Sequence, residues 1–157
     1  EDTEVRKIAV QALGVLNDRN VVQPLINMIE DKEQIVRESA VNALAKIGDK
    51  RALQPLLQAL KNSKEPLTLI KALGTFGDET IIDSLIPFLS NESKFVRGST
   101  ADTLVGLYKS GKISSSGLQK ILAQKENLRT HNDYWYSNSS NDCPSPNLHH
   151  DETRLLL

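Results

Sequence analysis

At 157 residues the chain fits one domain with a modest core. Its formal net charge is -1, from 19 basic and 20 acidic residues, which excludes the strongly basic balance of a dedicated nucleic-acid binder. Only 4% of residues are aromatic, so Ala, Leu, Ile and Val must fill the interior, a composition that suits closely packed helices and suits a β-sandwich poorly.

The first predicted helix carries Val5, Ile8, Ala9, Ala12, Leu13 and Leu16 at helical spacing, read as one buried stripe, with Asp2 or Thr3 as its N-cap. It ends in Gln11-Ala12-Leu13-Gly14-Val15-Leu16-Asn17-Asp18. That stretch returns as Asn42-Ala43-Leu44-Ala45-Lys46-Ile47-Gly48-Asp49 and as Lys71-Ala72-Leu73-Gly74-Thr75-Phe76-Gly77-Asp78. A spacing of about 30 residues is the period of a helical repeat array. A second helix, with Val21, Val22, Leu25, Ile26 and Ile29, completes the first pair. The second pair has Val36, Ser39, Ala40, Ala43, Leu44 and Ile47, then Leu53, Leu56, Leu57 and Leu60. The third has Leu69, Ala72, Leu73 and Phe76, then Ile81, Ile82, Leu85, Ile86 and Leu89. A degenerate fourth pair begins at Val96-Arg97, with Thr100, Thr103, Leu104 and Leu107, and resumes at Leu118, Ile121 and Leu122.

The fold class expected is all-α: an α-solenoid of about four antiparallel helix pairs. The repeats cover about 3–34, 35–64, 65–94 and 95–126, with an irregular polar tail over 127–157. Ala9, Ala40 and Ala43 are small so that neighbouring helix axes can approach. Gly48 and Gly77 end first helices through left-handed dihedrals. Asp18, Asp49 and Asp78 then cap the second helices, a structural role preferred over an acid pair, because they recur one per repeat. Pro24, Pro55 and Pro66 sit near helix starts, where proline is tolerated, whereas Pro87 should kink the last helix of the third repeat. Arg6, Arg37 and Arg97 should each reach a carboxylate of a neighbouring repeat and form a ladder.

These residues resemble HEAT-like repeats of the phycobilisome-lyase (PBS lyase) type over about residues 3–125. The likeness rests on Val-Arg at 5–6, 36–37 and 96–97, on the repeated Ala-Leu core ending in Asp, and on the Pro-Leu at 24–25 and 55–56. The resemblance implies first helices on the convex side, second helices on the concave side, and protein binding. For a minority of members it implies attachment or removal of bilins on antenna proteins. Two departures stand out: Glu65-Pro66 replaces Val-Arg in the third repeat, and Tyr108-Lys109 replaces the Gly-Asp turn in the fourth.

Residues suited to chemistry are sparse. His131, His149 and His150 lie in the tail, where no scaffold holds a metal, and Cys143 has no base beside it. No catalytic residue, metal or cofactor is expected, and the chain is read as a non-enzyme; the alternative, implied by the resemblance alone, is a bilin lyase or a phycobilisome-degradation factor acting on phycobiliproteins. The single cysteine suits a reducing, cytoplasmic location, and no apolar run approaches the ~20 residues of a membrane span. The acidic start without Met reads as a fragment of a longer protein. Tyr134-Trp135-Tyr136 is read as a cover for the last repeat in preference to an interface anchor.

Aligning the second helices gives a candidate concave ridge. Its rows are Asn20, Arg51 and Thr80; Gln23, Gln54 and Asp83; and Asn27, Gln58 and Pro87. Neutral amides dominate it. They donate and accept hydrogen bonds, so they can read a peptide backbone, but they cannot neutralise phosphates. The expected partner is therefore a protein or peptide, not nucleic acid or membrane, with self-association through exposed end repeats as a further possibility.

Overall fold

The computed structural model describes residues 2–16 and 18–123. These form eight α-helices joined by short 3-10 turns, with no strand among the described residues. The helices are α1 (Thr3–Leu16), α2 (Val22–Asn27), α3 (Gln34–Ile47), α4 (Leu53–Asn62), α5 (Leu67–Phe76), α6 (Ile82–Leu85), α7 (Lys94–Lys109) and α8 (Ser115–Leu122). The first helices stack in one layer, α1 on α3, α3 on α5 and α5 on α7. The second helices pack against them, as α2 does on α3 and α4 on α5. The chain is an all-α solenoid. The tail over 127–157, with its aromatic trio, its histidines and Cys143, lies outside the described residues.

The seam between first helices is set by side-chain size. A Cβ added at Gly14 would stand 2.7 Å from the Ala43 Cβ, and one added at Gly74 would stand 2.7 Å from the Thr103 Cγ2. The helices are therefore as close as a glycine on one side allows. Below the seam, Val22, Leu25, Leu44, Leu56, Leu60, Ile70, Leu73 and Leu85 are fully buried and form one continuous core. Thr100 stands where the second repeat has Ala40. It is buried without penalty because its hydroxyl donates to the Val96 carbonyl at 2.7 Å.

The turns follow the expected chemistry. Gly48 (φ 65°) and Gly77 (φ 59°) close α3 and α5 in the left-handed region. Asp18, Asp49 and Asp78 each accept a hydrogen bond from the backbone N–H two residues on, at 2.9, 2.9 and 3.0 Å. Each first caps a 3-10 turn (Arg19–Val21, Lys50–Ala52, Glu79–Ile81), from which the second helix then grows. Asp2 is the cap of α1, its Oδ1 accepting from the Glu4 N–H at 2.7 Å. In the fourth repeat the left-handed glycine has moved to Gly111 (φ 67°), and Ser114 caps α8 through the Gly117 N–H.

Four expectations are corrected. The stripe of α1 is not buried: Val5, Ile8, Ala9, Ala12 and Leu16 are exposed, and α1 buries Val10 and Gly14 against α3. Physically, Val5, Ala9 and Ala12 occupy the face that α3 presents to α1 through Val36, Ala40 and Ala43, and none of the described helices covers it. The arginine ladder does not form. Of the three arginines, only Arg6 meets a carboxylate, its Nε and Nη2 donating to Asp31 at 2.8 and 3.0 Å. Arg37 donates to the carbonyls of Asp31 and Lys32, and Arg97 to those of Asn91 and Glu92, so both fasten the loop that precedes their own helix. Pro87 does not kink a continuous helix; α6 ends at Leu85 and a 3-10 segment, Ile86–Ser90, takes over with the proline near its start. Finally, the second helix is not α throughout in the first repeat either, where Met28–Glu30 tightens to 3-10 with no proline at the change.

Pro66 has a larger effect than a tolerated helix start. It is the N-cap of α5, and it disfavours helical dihedrals at Glu65 before it. Position 34 opens α3 and position 94 opens α7, but the equivalent Ser63 stays outside α5. The row of first helices thus lacks about one turn in the third repeat.

Candidate functional site

The candidate ridge lies on the second-helix layer. All eight of its residues, Asn20, Gln23, Asn27, Arg51, Gln54, Gln58, Thr80 and Asp83, are solvent-exposed, as is Pro87. Core packing explains this: α4 turns Leu53, Leu56, Leu57 and Leu60 inward, which leaves Gln54 and Gln58, one helical turn apart, on the outer face.

The rows differ in how much of their hydrogen-bonding capacity is already used. In the first row each residue is tied to its capping aspartate. Asn20 Nδ2 donates to Asp18 Oδ2 at 3.4 Å, and Thr80 Oγ1 donates to Asp78 Oδ1 at 2.7 Å. Arg51 donates to both Asp49 oxygens, at 3.0 and 2.9 Å, and to the Arg19 carbonyl at 2.6 Å, which links the first two repeats. The Arg51 hydrogen bonds, from side chain and backbone, hold the Asp49 carboxyl down to about 2. Thr80 lowers Asp78 in the same way through its hydroxyl and its N–H.

In the second row, Gln23 Nε2 donates to Asn27 Oδ1 at 3.4 Å, and Asp83 accepts Lys120 Nζ from α8 at 2.9 and 2.8 Å. Gln54 and Gln58 have no side-chain hydrogen bond among the described residues. Their amides keep their full hydrogen-bonding capacity at the surface.

Sequence reasoning missed both the prior engagement of the first row and the cation at the end of the ridge. The Asp-x-Asn, Asp-x-Arg and Asp-x-Thr spacing was a readable signal for the first, since an Asp carboxylate reaches the N–H two residues on. Nothing in the diverged fourth repeat signalled that Lys120 would reach Asp83.

A cleft lies at the N-terminal ends of the first helices. The missing turn of α5 leaves an open cleft of about 410 Å³. Pro66 lines it together with Leu67 and Thr68 from the start of α5, Gln34 and Glu38 from α3, and Phe95 from α7. Phe95 is 64% exposed, with the Lys94 ammonium 5.4 Å from its ring centre. Among the described residues no three His, Cys, Asp or Glu side chains are grouped as a metal site, and no helix is long and apolar enough to cross a membrane.

Residues 1–69 match the family model for HEAT repeats. The match spans the first two helix pairs and the opening of α5, and it supports a HEAT-like repeat protein. No curated protein matches the chain.

Proposed function

We propose that the chain is a non-catalytic interaction scaffold that binds an extended segment of a protein partner along the second-helix ridge, on the concave side of the solenoid. The observation that carries this reading is the exposed pair Gln54 and Gln58, whose side chains are not spent on internal hydrogen bonds. One turn apart on a single helix face, the two amides can donate to and accept from successive peptide groups of an extended chain. Gln23 and Asn27 extend the row in the first repeat, and the Asp83–Lys120 pair closes it with one charge of each sign.

The Val-Arg and Pro-Leu motifs support the PBS-lyase subtype of HEAT-like repeat, and the single cysteine supports a cytoplasmic location. The bilin-lyase alternative needs aromatic groups gathered around a tetrapyrrole. The exposed aromatics Phe95 and Tyr108 stand at opposite ends of α7, about 20 Å apart along the helix. Self-association through end repeats belongs to the same scaffold reading.

Selection of a random-peptide library against the protein tests the ridge. Selected peptides should bind Gln54→Glu/Gln58→Glu at least ~10-fold more weakly, equal to ~1.4 kcal/mol, because carboxylates only accept. Unchanged affinity across all selected peptides would move the binding surface elsewhere.

A further inference from the structure

Outside α1, the large apolar side chains exposed among the described residues are Ile35, Phe95 and Tyr108. Ile35 and Phe95 hold equivalent places, each just before a Val-Arg pair, in the first turns of α3 and α7. The α5 turn that would stand between them is missing, and the cleft takes its place. The gap is internal, with a helix on either side of it.

We infer that the chain fills this cleft itself, with the aromatic trio Tyr134-Trp135-Tyr136. The inference is separate from the amide ridge, which lies on the second-helix layer. Three observations select this occupant.

The first is reach. Ser114 donates to Glu79 and Lys120 to Asp83, so α8 runs alongside α6 in the same direction. Ala123, the last described residue, therefore stands level with about Ile86. Asn91, which lines the cleft, is five residues further along at the 3-10 rise of ~2.0 Å per residue. With ~8–10 Å between helix axes, Ala123 is about 15 Å from the cleft. Tyr134 follows Ala123 by eleven residues, which span up to about 36 Å.

The second is chemistry. Pro66, Leu67, Phe95 and Val96 give the cleft apolar walls. The hydroxyls of Thr68 and Ser93 line it too, and neither makes a hydrogen bond among the described residues. Tyr and Trp match this mixture, since each is a large ring with one polar group that needs a partner when covered. A cavity of ~150 Å³ holds benzene, so about 410 Å³ has room for about two rings.

The third is charge. Lys64 and Lys94 balance Glu38 and Glu65 around the cleft, so a highly charged segment gains nothing there. Residues 134–140 carry no charge. Asp133, just before the trio, can meet the Lys94 ammonium that stands 5.4 Å from the centre of the Phe95 ring.

Tethering makes a weak contact sufficient. A short connection supplies an effective concentration of about 1 mM, so a trio with a Kd of about 1 mM as a free peptide is half docked in the chain. Any partner for this face then has to displace the trio.

Trp135 is the one tryptophan of the chain, so its fluorescence reports the docking directly. In the full chain its emission should lie to the blue of N-acetyltryptophanamide, and acrylamide should quench it less. Phe95→Ser, at an exposed position, should weaken docking at least ~10-fold and move both readings toward the free reference, with the far-ultraviolet melt unchanged. Lys94→Glu should act in the same direction. Tyr108→Ser, at the far end of α7, should leave the emission as in the parent. Gln54→Glu/Gln58→Glu should leave it unchanged as well, so failure of the docking and failure of the ridge are read separately. Parent emission equal to the free reference, or emission indifferent to Phe95→Ser, would overturn the proposal. So would a response to Tyr108→Ser in place of Phe95→Ser, which would put the trio over the far end of the fourth repeat.

Discussion

Gly14→Ala tests whether glycine sets the distance between repeats. The added Cβ would stand 2.7 Å from the Ala43 Cβ and 3.1 Å from the Ala43 Cα. Carbon atoms pack best at ~3.5–4.0 Å, so α1 and α3 must separate by about 1 Å or strain in place. Neither Ala43 atom can swing away, since both are fixed by the backbone of α3. Overpacking of this kind costs about 1–3 kcal/mol, whereas replacing a mid-helix glycine by alanine returns about 0.8–1 kcal/mol of helix propensity. The net expectation is a loss of about 0–2 kcal/mol.

Gly106→Ala in α7 supplies the control, because nothing stands within 4 Å of its added Cβ. It should stabilise by about 0.4–1 kcal/mol. Urea unfolding of the two variants should therefore differ by about 0.4–3 kcal/mol in favour of Gly106→Ala, with unchanged m-values. Gly14→Ala combined with Ala43→Gly should recover about 1 kcal/mol or more relative to the sum of the single changes, because the tighter of the two contacts, 2.7 Å, is between the two methyl groups. If Gly14→Ala stabilises as much as Gly106→Ala does, the seam is not glycine-limited and the account of repeat stacking is wrong.

Asp49 has a folded-state pKa lowered to about 2, so its contribution to stability is present above its unfolded value near 4 and fades as pH falls toward 2. Thermal melts of Asp49→Asn should accordingly lie below the parent at pH 5 and converge with it near pH 2; a constant gap across that range would contradict the assignment. Pro66→Ala should let α5 gain up to one turn, read as a rise in far-ultraviolet helical signal of about three residues, and should narrow the cleft beside Phe95. No gain in helical signal would mean that the late start of α5 has another cause.

Features dictated by periodicity or by local backbone chemistry were legible in the sequence. The buried leucines of α4, the left-handed Gly48 and Gly77 and the three capping aspartates each follow from residues within one turn of one another. Features that depend on an unnamed acceptor were not. The recurring arginines marked a recurring site, but the acceptors of Arg37 and Arg97 are backbone carbonyls, which carry no sequence signature. The amphipathic stripe of α1 likewise says which face is apolar, not whether a neighbour covers it. Gln23, Gln54 and Gln58 were found at the surface as expected. Their separation from the engaged first row required the hydrogen bonds themselves.

The shape of the second helices explains why the ridge narrows to two residues. Row alignment assumes that every second helix keeps the α period, so that residues four apart share a face. Of α2, α4 and α6, only α4 keeps it for ten residues. In the first repeat the chain tightens to 3-10 just after Asn27, and in the third it does so at Ile86, so Pro87 falls on a three-residue period instead. The third row is therefore in phase at Gln58 and out of phase at Pro87. At the near end of the ridge, Arg51 is held by Asp49 and by the first repeat. The stretch of α4 between these limits keeps helical register, faces solvent and has unspent amides. Replacing Gln58 alone should thus weaken binding more than replacing Asn20 or Thr80, whose side chains already serve their own turns.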